Sequence, residues 1–340
     1  MKDSKRIGYA VVGLGRIAQR AVLPDFAHAK KSKLIALVSS DPAKAKKLAR
    51  KFGAAHYYAY DSYAACLQNP EVQAVFIASA NGAHASETIR AAEAGKHVLC
   101  EKPMANTVAE CRSMVEACRR HGVRLMIAYR KYFEPGSVAL KNLITTGKLG
   151  KPKMIQSSFT FQLPPEKSWH FSQDVAGGGS LVDVGVYCVN SVRWLLDEYP
   201  TEVSGYAWAL DQRRFSEVDE NIAFQLKFPS GVIAQASSSF AAAKQSFVRV
   251  LGTEGWAALD PAFTYDEPRR LFGQVKGRWF EREYPVMHEF ALELDALADC
   301  IQRNRDPEPD GVEGARDVAV MDAIYRAARQ GKPVAPETIG

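Results

Sequence analysis

The stretch "GGGSLVDVGVY", residues 177–187, sets three glycines in a row ahead of an acid and a phenol four residues apart. On a helix that spacing puts Asp183 and Tyr187 on one face, one turn apart, where carboxylate and phenol can serve one proton transfer. The competing interpretation is a flexible loop running into an ordinary helix with a buried tyrosine. A second stretch with chemistry in it is Gly13-Leu14-Gly15-Arg16-Ile17-Ala18 near the start of the chain. It follows a β-branched apolar run and opens a helical pattern, the context in which G-x-G-x-x-G/A binds a dinucleotide. Gly13 permits the tight turn, Gly15 lets a pyrophosphate approach the backbone, and Ala18 allows close helix–strand packing. The helix N-terminus beside Arg16 and Ile17 then offers free N–H groups and a positive dipole end to the phosphates.

The next strand ends Ser39-Ser40, where enzymes that select NAD place an acid for the ribose 2′-OH. Asp41 stands one step on, but Asp-Pro before "AKAKKLARKF" reads as an N-cap with proline at the first helical position. Two hydroxyls with Arg16 and Lys44 near them suit a 2′-phosphate. NADP is therefore the expected cofactor, with NAD as the alternative.

Elements must bring these groups to one edge. Strand-like "AVFIASA" and "HVLCEKP" alternate with helical "AHASETIRAAEAG" and "TVAECRSMVEACRRHG", and "RLMIAY" follows. Such alternation builds βαβ units on a parallel sheet, with ligands at the carboxyl ends of the strands. Ala80, Asn81, His84, Glu101 and Lys102 fall at that edge, and Arg130 follows the last strand as a further cofactor contact. From about residue 129 the pattern changes to alternating strand-like runs with hairpin breaks, interrupted by helical "SLVDVGVYCVNSVRWLLDE" and closed by two helices. The expected architecture is an α/β Rossmann domain (1–128) followed by an α+β domain (129–340) with an open, mostly antiparallel sheet. The bare sheet face predicts a homodimer or homotetramer. Candidate substrate contacts are Tyr129 and Tyr132 on the cleft wall, Trp169 and His170 in the polar loop 164–179, and Tyr265.

The totals exclude several classes. At 340 residues two domains are the prior. The net charge of +6 is modest, and the densest basic run, "KAKKLARK", recurs at helical spacing as a solvated face, so no nucleic-acid partner is expected. No signal core precedes the first strand and no apolar run approaches the roughly 18–20 residues of a membrane span. Six cysteines without CxxC spacing read as free thiols in a reducing cytoplasm. No His/Cys spacing suggests a metal site.

With "GLGRIA", "ASANGAH", "EKPMA", "AYRKYFEP" and "AGGGSLVDVGVYCVN" in this order, the chain resembles the Gfo/Idh/MocA oxidoreductases from about Ile7 to Val334. Within that family it looks most like glucose–fructose oxidoreductase and the NADP-dependent aldose and dihydrodiol dehydrogenases. The resemblance implies hydride transfer between NADP and the anomeric carbon of an aldose, with Lys102, Asp183 and Tyr187 as the catalytic group. Most members carry histidine where this chain has Tyr187. The alternatives are a polyol, cyclitol or dihydrodiol dehydrogenase, or a non-catalytic dinucleotide-binding regulator. A free phenol, with a pKa of about 10, is a poor base at neutral pH, and the Lys102 ammonium would favour its phenolate. Similar members place Trp-Arg where Trp169-His170 stands. Glucose–fructose oxidoreductase carries an N-terminal arm over its NADP, and here the first strand begins almost at once, so release of NADP(H) at each turnover is expected.

Overall fold

In the computed structural model, which describes residues 6–164 and 169–340, the first apolar run becomes β1 (Ile7–Val12), buried at all six positions. A strand covered on both faces needs no polar alternation, which is the mark of a parallel sheet between helical layers. It is joined by β2 (Ser32–Ser39), β3 (His56–Ala59), β4 (Ala74–Ile77), β5 (His97–Glu101) and β6 (Leu125–Ala128). All pairs are parallel in the order β3-β2-β1-β4-β5-β6. The order reverses between β1 and β4, so their carboxyl ends frame a topological switch point. Asp41 caps the helix Pro42–Phe52, its carboxylate accepting from the Lys44 amide at 2.9 Å. A capping box of Thr107 and Glu110 opens the helix Val108–Arg120.

The chain divides into two compact units, Met1–Arg130 with His288–Ala315, and Lys131–Met287 with Arg316–Gly340. The boundary expected from the sequence, 128/129, lies two residues from the first cut, but 288–315 belongs with the first unit and not the second. Its helix Glu289–Gln302 buries Phe290, Leu294 and Leu297, and the Tyr9 hydroxyl on β1 donates to the Leu294 carbonyl at 2.9 Å. Helical periodicity marks such a segment without saying which sheet it covers.

The second unit holds an eight-stranded sheet in the order β14-β13-β12-β11-β7-β10-β9-β8. These strands are β7 (Pro152–Thr160), β8 (Glu202–Trp208), β9 (Asn221–Lys227), β10 (Ile233–Ser239), β11 (Gln245–Gly252), β12 (Gly255–Asp260), β13 (Arg269–Val275) and β14 (Arg278–Tyr284). Only β7 and β10 pair in parallel. β14 escapes sequence reading because, as an edge strand, it buries no residue and shows no alternation. The register puts Met154, Ile233, Leu251, Trp256, Phe272 and Trp279 on one face of the sheet.

One expectation needs correction. By length and composition the helical stretch Gln173–Leu196 does meet the test for a membrane span, but 83% of its apolar window is buried, as in the core helix of a folded unit. A buried charge pair pins it: Arg193 Nη1 lies 2.5 Å from Asp317, whose other oxygen accepts from Asn190 Nδ2 at 2.7 Å.

Candidate active site

In the first unit, β1 ends at Gly13, which takes φ +88° and would drive a Cβ to 2.4 Å from the Ser79 nitrogen. Only glycine allows β1 to turn this close to the chain leaving β4. Gly15 differs: an added Cβ meets nothing within 4 Å. Gly15 and Arg16 are exposed, Ile17 is half-buried and Ala18 is fully buried. A helix begins at residue 16, and the N–H groups of its first turn have no partner within the helix. An open space at Gly15 beside a helix N-terminus fits a pyrophosphate. Ser39 is buried and its hydroxyl accepts from the Asp41 amide at 3.1 Å, while Ser40 is exposed and Lys44 half-buried. With Asp41 engaged as the cap, the end of β2 presents hydroxyls and a lysine, a donor set that fits a 2′-phosphate. These residues fit NADP.

At the ends of β4 and β5 the expected cofactor edge is tied together by His84. Its Nδ1 lies 2.9 Å from the Pro103 carbonyl and its Nε2 3.2 Å from that of Ser79. The ring is 1% exposed and burial lowers its pKa; as a neutral imidazole it has one N–H and donates to one of these two carbonyls. Ala80 is the residue before the short turn Asn81–Ala83, and Asn81 is buried. Glu101 is buried too, its carboxylate accepting from the Lys102 amide at 3.2 Å, and Lys102 is half-buried before a cis Pro103. Arg130, expected beside the cofactor, lies 2.8 Å from Glu289 with both side chains buried, its guanidinium over the Phe290 ring. Tyr129, expected on the cleft wall, is fully buried.

In the second unit Asp183 sits in a π-helical turn, Leu181–Gly185, and Tyr187 in the α-helix that follows, Val186–Leu196. The wider turn changes the angle between the two side chains from the one an unbroken α-helix gives, and such turns recur at functional sites. The Tyr187 ring is 6% exposed and lies 5.8 Å from Phe159 and 5.7 Å from Phe263 between centroids. Neither phenylalanine stands in a chemical motif, and only strand alternation on β7 hinted at the first. His170 Nε2 approaches Asp183 Oδ2 to 3.9 Å, and the Trp169 ring stacks on His170 at 3.9 Å while remaining 40% exposed. Residues 165–168 of the expected substrate loop lie outside the described residues. Tyr132 packs on Trp194 at 4.8 Å beside Lys131 Nζ, and Tyr265 is half-buried two residues beyond Phe263.

Packing requires two glycines of the run. A Cβ on Gly179 would stand 1.8 Å from the Asp219 carbonyl oxygen, and one on Gly178 2.4 Å from the Tyr325 hydroxyl. Gly178 and Gly179 are bare so that they can lie against the chain entering β9 and the last helix, while Gly177 takes φ +78° at the end of the helix Gln173–Ala176.

Residues 7–129 match the Gfo/Idh/MocA oxidoreductase family with its NAD-binding Rossmann fold, and residues 137–258 match the family's C-terminal domain. The chain is 32% identical over 328 residues to the D-xylose 1-dehydrogenase (NADP(+)) of Haloarcula marismortui, covering 95% of this chain and 91% of that one. It is 31% identical over 256 residues to the trans-1,2-dihydrobenzene-1,2-diol dehydrogenase of Bos taurus, covering 74% and 72%. Among solved structures, the aldose-aldose oxidoreductase from Caulobacter crescentus, complexed with glycerol, superposes with a TM-score of 0.93 at 39% identity, covering 97% of this chain and 99% of the other. On these matches across both units, the chain belongs to the Gfo/Idh/MocA oxidoreductase family.

Proposed function

We propose that the protein is an NADP(H)-dependent oxidoreductase that moves a hydride between nicotinamide and C1 of an aldose. The observation that carries this reading is a phenol, Tyr187, packed against two aromatic rings on the helix that follows the Asp183 turn, in a chain whose relatives include an NADP(+)-dependent D-xylose dehydrogenase and an aldose-aldose oxidoreductase. Bound NADP supplies the hydride acceptor or donor. Tyr187 takes the O1 proton during oxidation and returns it during reduction. Lys102 supplies the positive charge that favours the phenolate, and Asp183 orients Lys102 or a sugar hydroxyl. Gly13, Gly15, Arg16, Ser39, Ser40 and Lys44 hold the cofactor. The exposed face of Trp169 offers the sugar a ring to stack on, with His170 beside Asp183.

A second reading has its own support. The 39% identical structure is named an aldose-aldose oxidoreductase; in this second reading NADP stays bound to the present chain while one sugar replaces another. For assembly and place, the apolar sheet face around Met154, Ile233 and Trp279, each more than a third exposed, suits pairing with a second copy. Six buried free thiols suit a cytoplasmic protein.

Initial rates with NADP⁺ and NAD⁺ across aldoses, polyols and trans-dihydrodiols test the reading. Aldoses with NADP⁺ should give the largest kcat/KM. A diol or polyol preferred tenfold over every aldose overturns it. Dialysed enzyme that still converts one aldose while reducing another, without added NADP, selects the second reading.

A further inference from the structure

Asp219 and Tyr325 belong to no chemical motif, yet they meet behind the glycine run that leads to Asp183. The Asp219 carboxylate accepts four hydrogen bonds. Oδ1 takes the Gly179 amide at 2.9 Å and the Tyr325 hydroxyl; Oδ2 takes the Leu181 amide at 2.9 Å and the Ser180 hydroxyl at 2.8 Å. The Asp219 backbone carbonyl also accepts from the Ser180 amide at 3.1 Å. An ionised carboxylate has about four acceptor sites, so this one is saturated although it is 8% exposed. Burial, with Asp219 beside it, pushes the Tyr325 phenol well above its ordinary range, which keeps it protonated and donating.

One side chain thus fixes three consecutive residues, 179–181. The Asp183 amide in turn donates to the Gly179 carbonyl at 3.2 Å, so the π-turn that carries Asp183 starts from the clamped segment. Tyr325 stands on the helix Gly311–Gln330, and Asp317 of that helix holds Asn190 and Arg193 near the other end of the helix bearing Tyr187. One helix therefore grips the Asp183–Tyr187 element at both ends.

We infer that Asp219, held by Tyr325, is a positioning residue that sets the Asp183–Tyr187 pair in its productive geometry; the inference rests on Tyr187 being the proton-transfer group. Asp219→Asn keeps the shape but turns an amide N–H₂ toward amide and hydroxyl donors. Misplacement by about an ångström can reduce turnover by on the order of 10²-fold. Asp219→Asn should therefore lower kcat per folded molecule by roughly 10–100-fold, with the sugar KM and the NADP dissociation constant within about threefold of wild type. Tyr325→Phe, which keeps the ring and guards against a misfolded Asp219 variant, should lower kcat by about 3–10-fold. Both variants should speed hydrogen exchange at the amides of residues 179–183 relative to the sheet.

Tyr187→Phe is measured beside them. If it keeps wild-type kcat, the reading of Tyr187 is wrong and the inference falls with it. If Tyr187→Phe is inactive but Tyr325→Phe and any folded Asp219→Asn keep kcat within twofold and leave exchange at 179–183 unchanged, the clamp does not position the pair and the inference alone is overturned. Activity that falls only in proportion to the unfolded fraction overturns it in the same way.

Discussion

Asp41 separates two accounts of how this chain reads its cofactor. Its Oδ1 accepts from the Lys44 amide at 2.9 Å, and its own amide donates to Ser39 Oγ at 3.1 Å. If that carboxylate is a helix cap, Asp41→Ala removes one capping bond and costs about 1 kcal/mol. For a unit of this size such a loss lowers the thermal midpoint by about 2–4 °C. Asp41→Asn, an equally good cap, should leave the midpoint unchanged to within about a degree. Neither substitution should alter the ratio of kcat/KM for NADP⁺ and NAD⁺. The assay is initial rates of nicotinamide reduction with both cofactors at a fixed aldose concentration, beside thermal unfolding of the same preparations. A tenfold loss of kcat/KM for NAD⁺ in Asp41→Asn, about 1.4 kcal/mol, would refute the reasoning, because the carboxylate would then be reading the ribose.

Other expected outcomes follow from the same geometry. Gly15→Ala should weaken NADP binding with an unchanged thermal midpoint, whereas Gly13→Ala should lower the midpoint, since its Cβ meets backbone at 2.4 Å and its φ is +88°; titration and unfolding of the two variants separate them. His97 Nδ1 accepts from the Arg124 amide at 2.9 Å, and burial, then the Arg124 charge, pushes its pKa down to about 4. The unfolded chain takes up this proton near pH 6.5 and the folded one does not, so stability should fall as pH drops from about 6.5 to 4. His97→Gln should flatten that part of the midpoint-versus-pH curve, and an unaltered curve would reject the assignment. Trp279→Lys on the apolar sheet face should shift the protein toward monomer by light scattering if that face pairs two copies.

The turn after β1 and the cap after β2 were legible because their signals are local. Gly13, Gly15 and Ala18 lie within six residues, and Asp41-Pro42 declares its cap in two. The segment that carries Asp183 and Tyr187 was legible only in part. Spacing placed Asp183 and Tyr187 on a helix, but the π-turn between them comes from packing that no local pattern encodes. The reason for Gly179 lay 40 residues away at Asp219 and that for Gly178 further still at Tyr325, where only the folded chain brings donors and carboxylate together. Helix 289–302 likewise announces its amphipathic face without naming the sheet that face covers.

The most direct test of the account is the turnover of Tyr187→Phe with NADP⁺ and the best aldose. The substitution keeps the ring packed against Phe159 and Phe263 and removes only the phenolic oxygen. A positioned acid–base group contributes typically 10²–10⁴-fold, so kcat should fall by about that factor while the NADP dissociation constant stays within about twofold. A variant that retains more than roughly a third of wild-type kcat, with hydride transfer still rate-limiting, would contradict the account and pass the proton to another group.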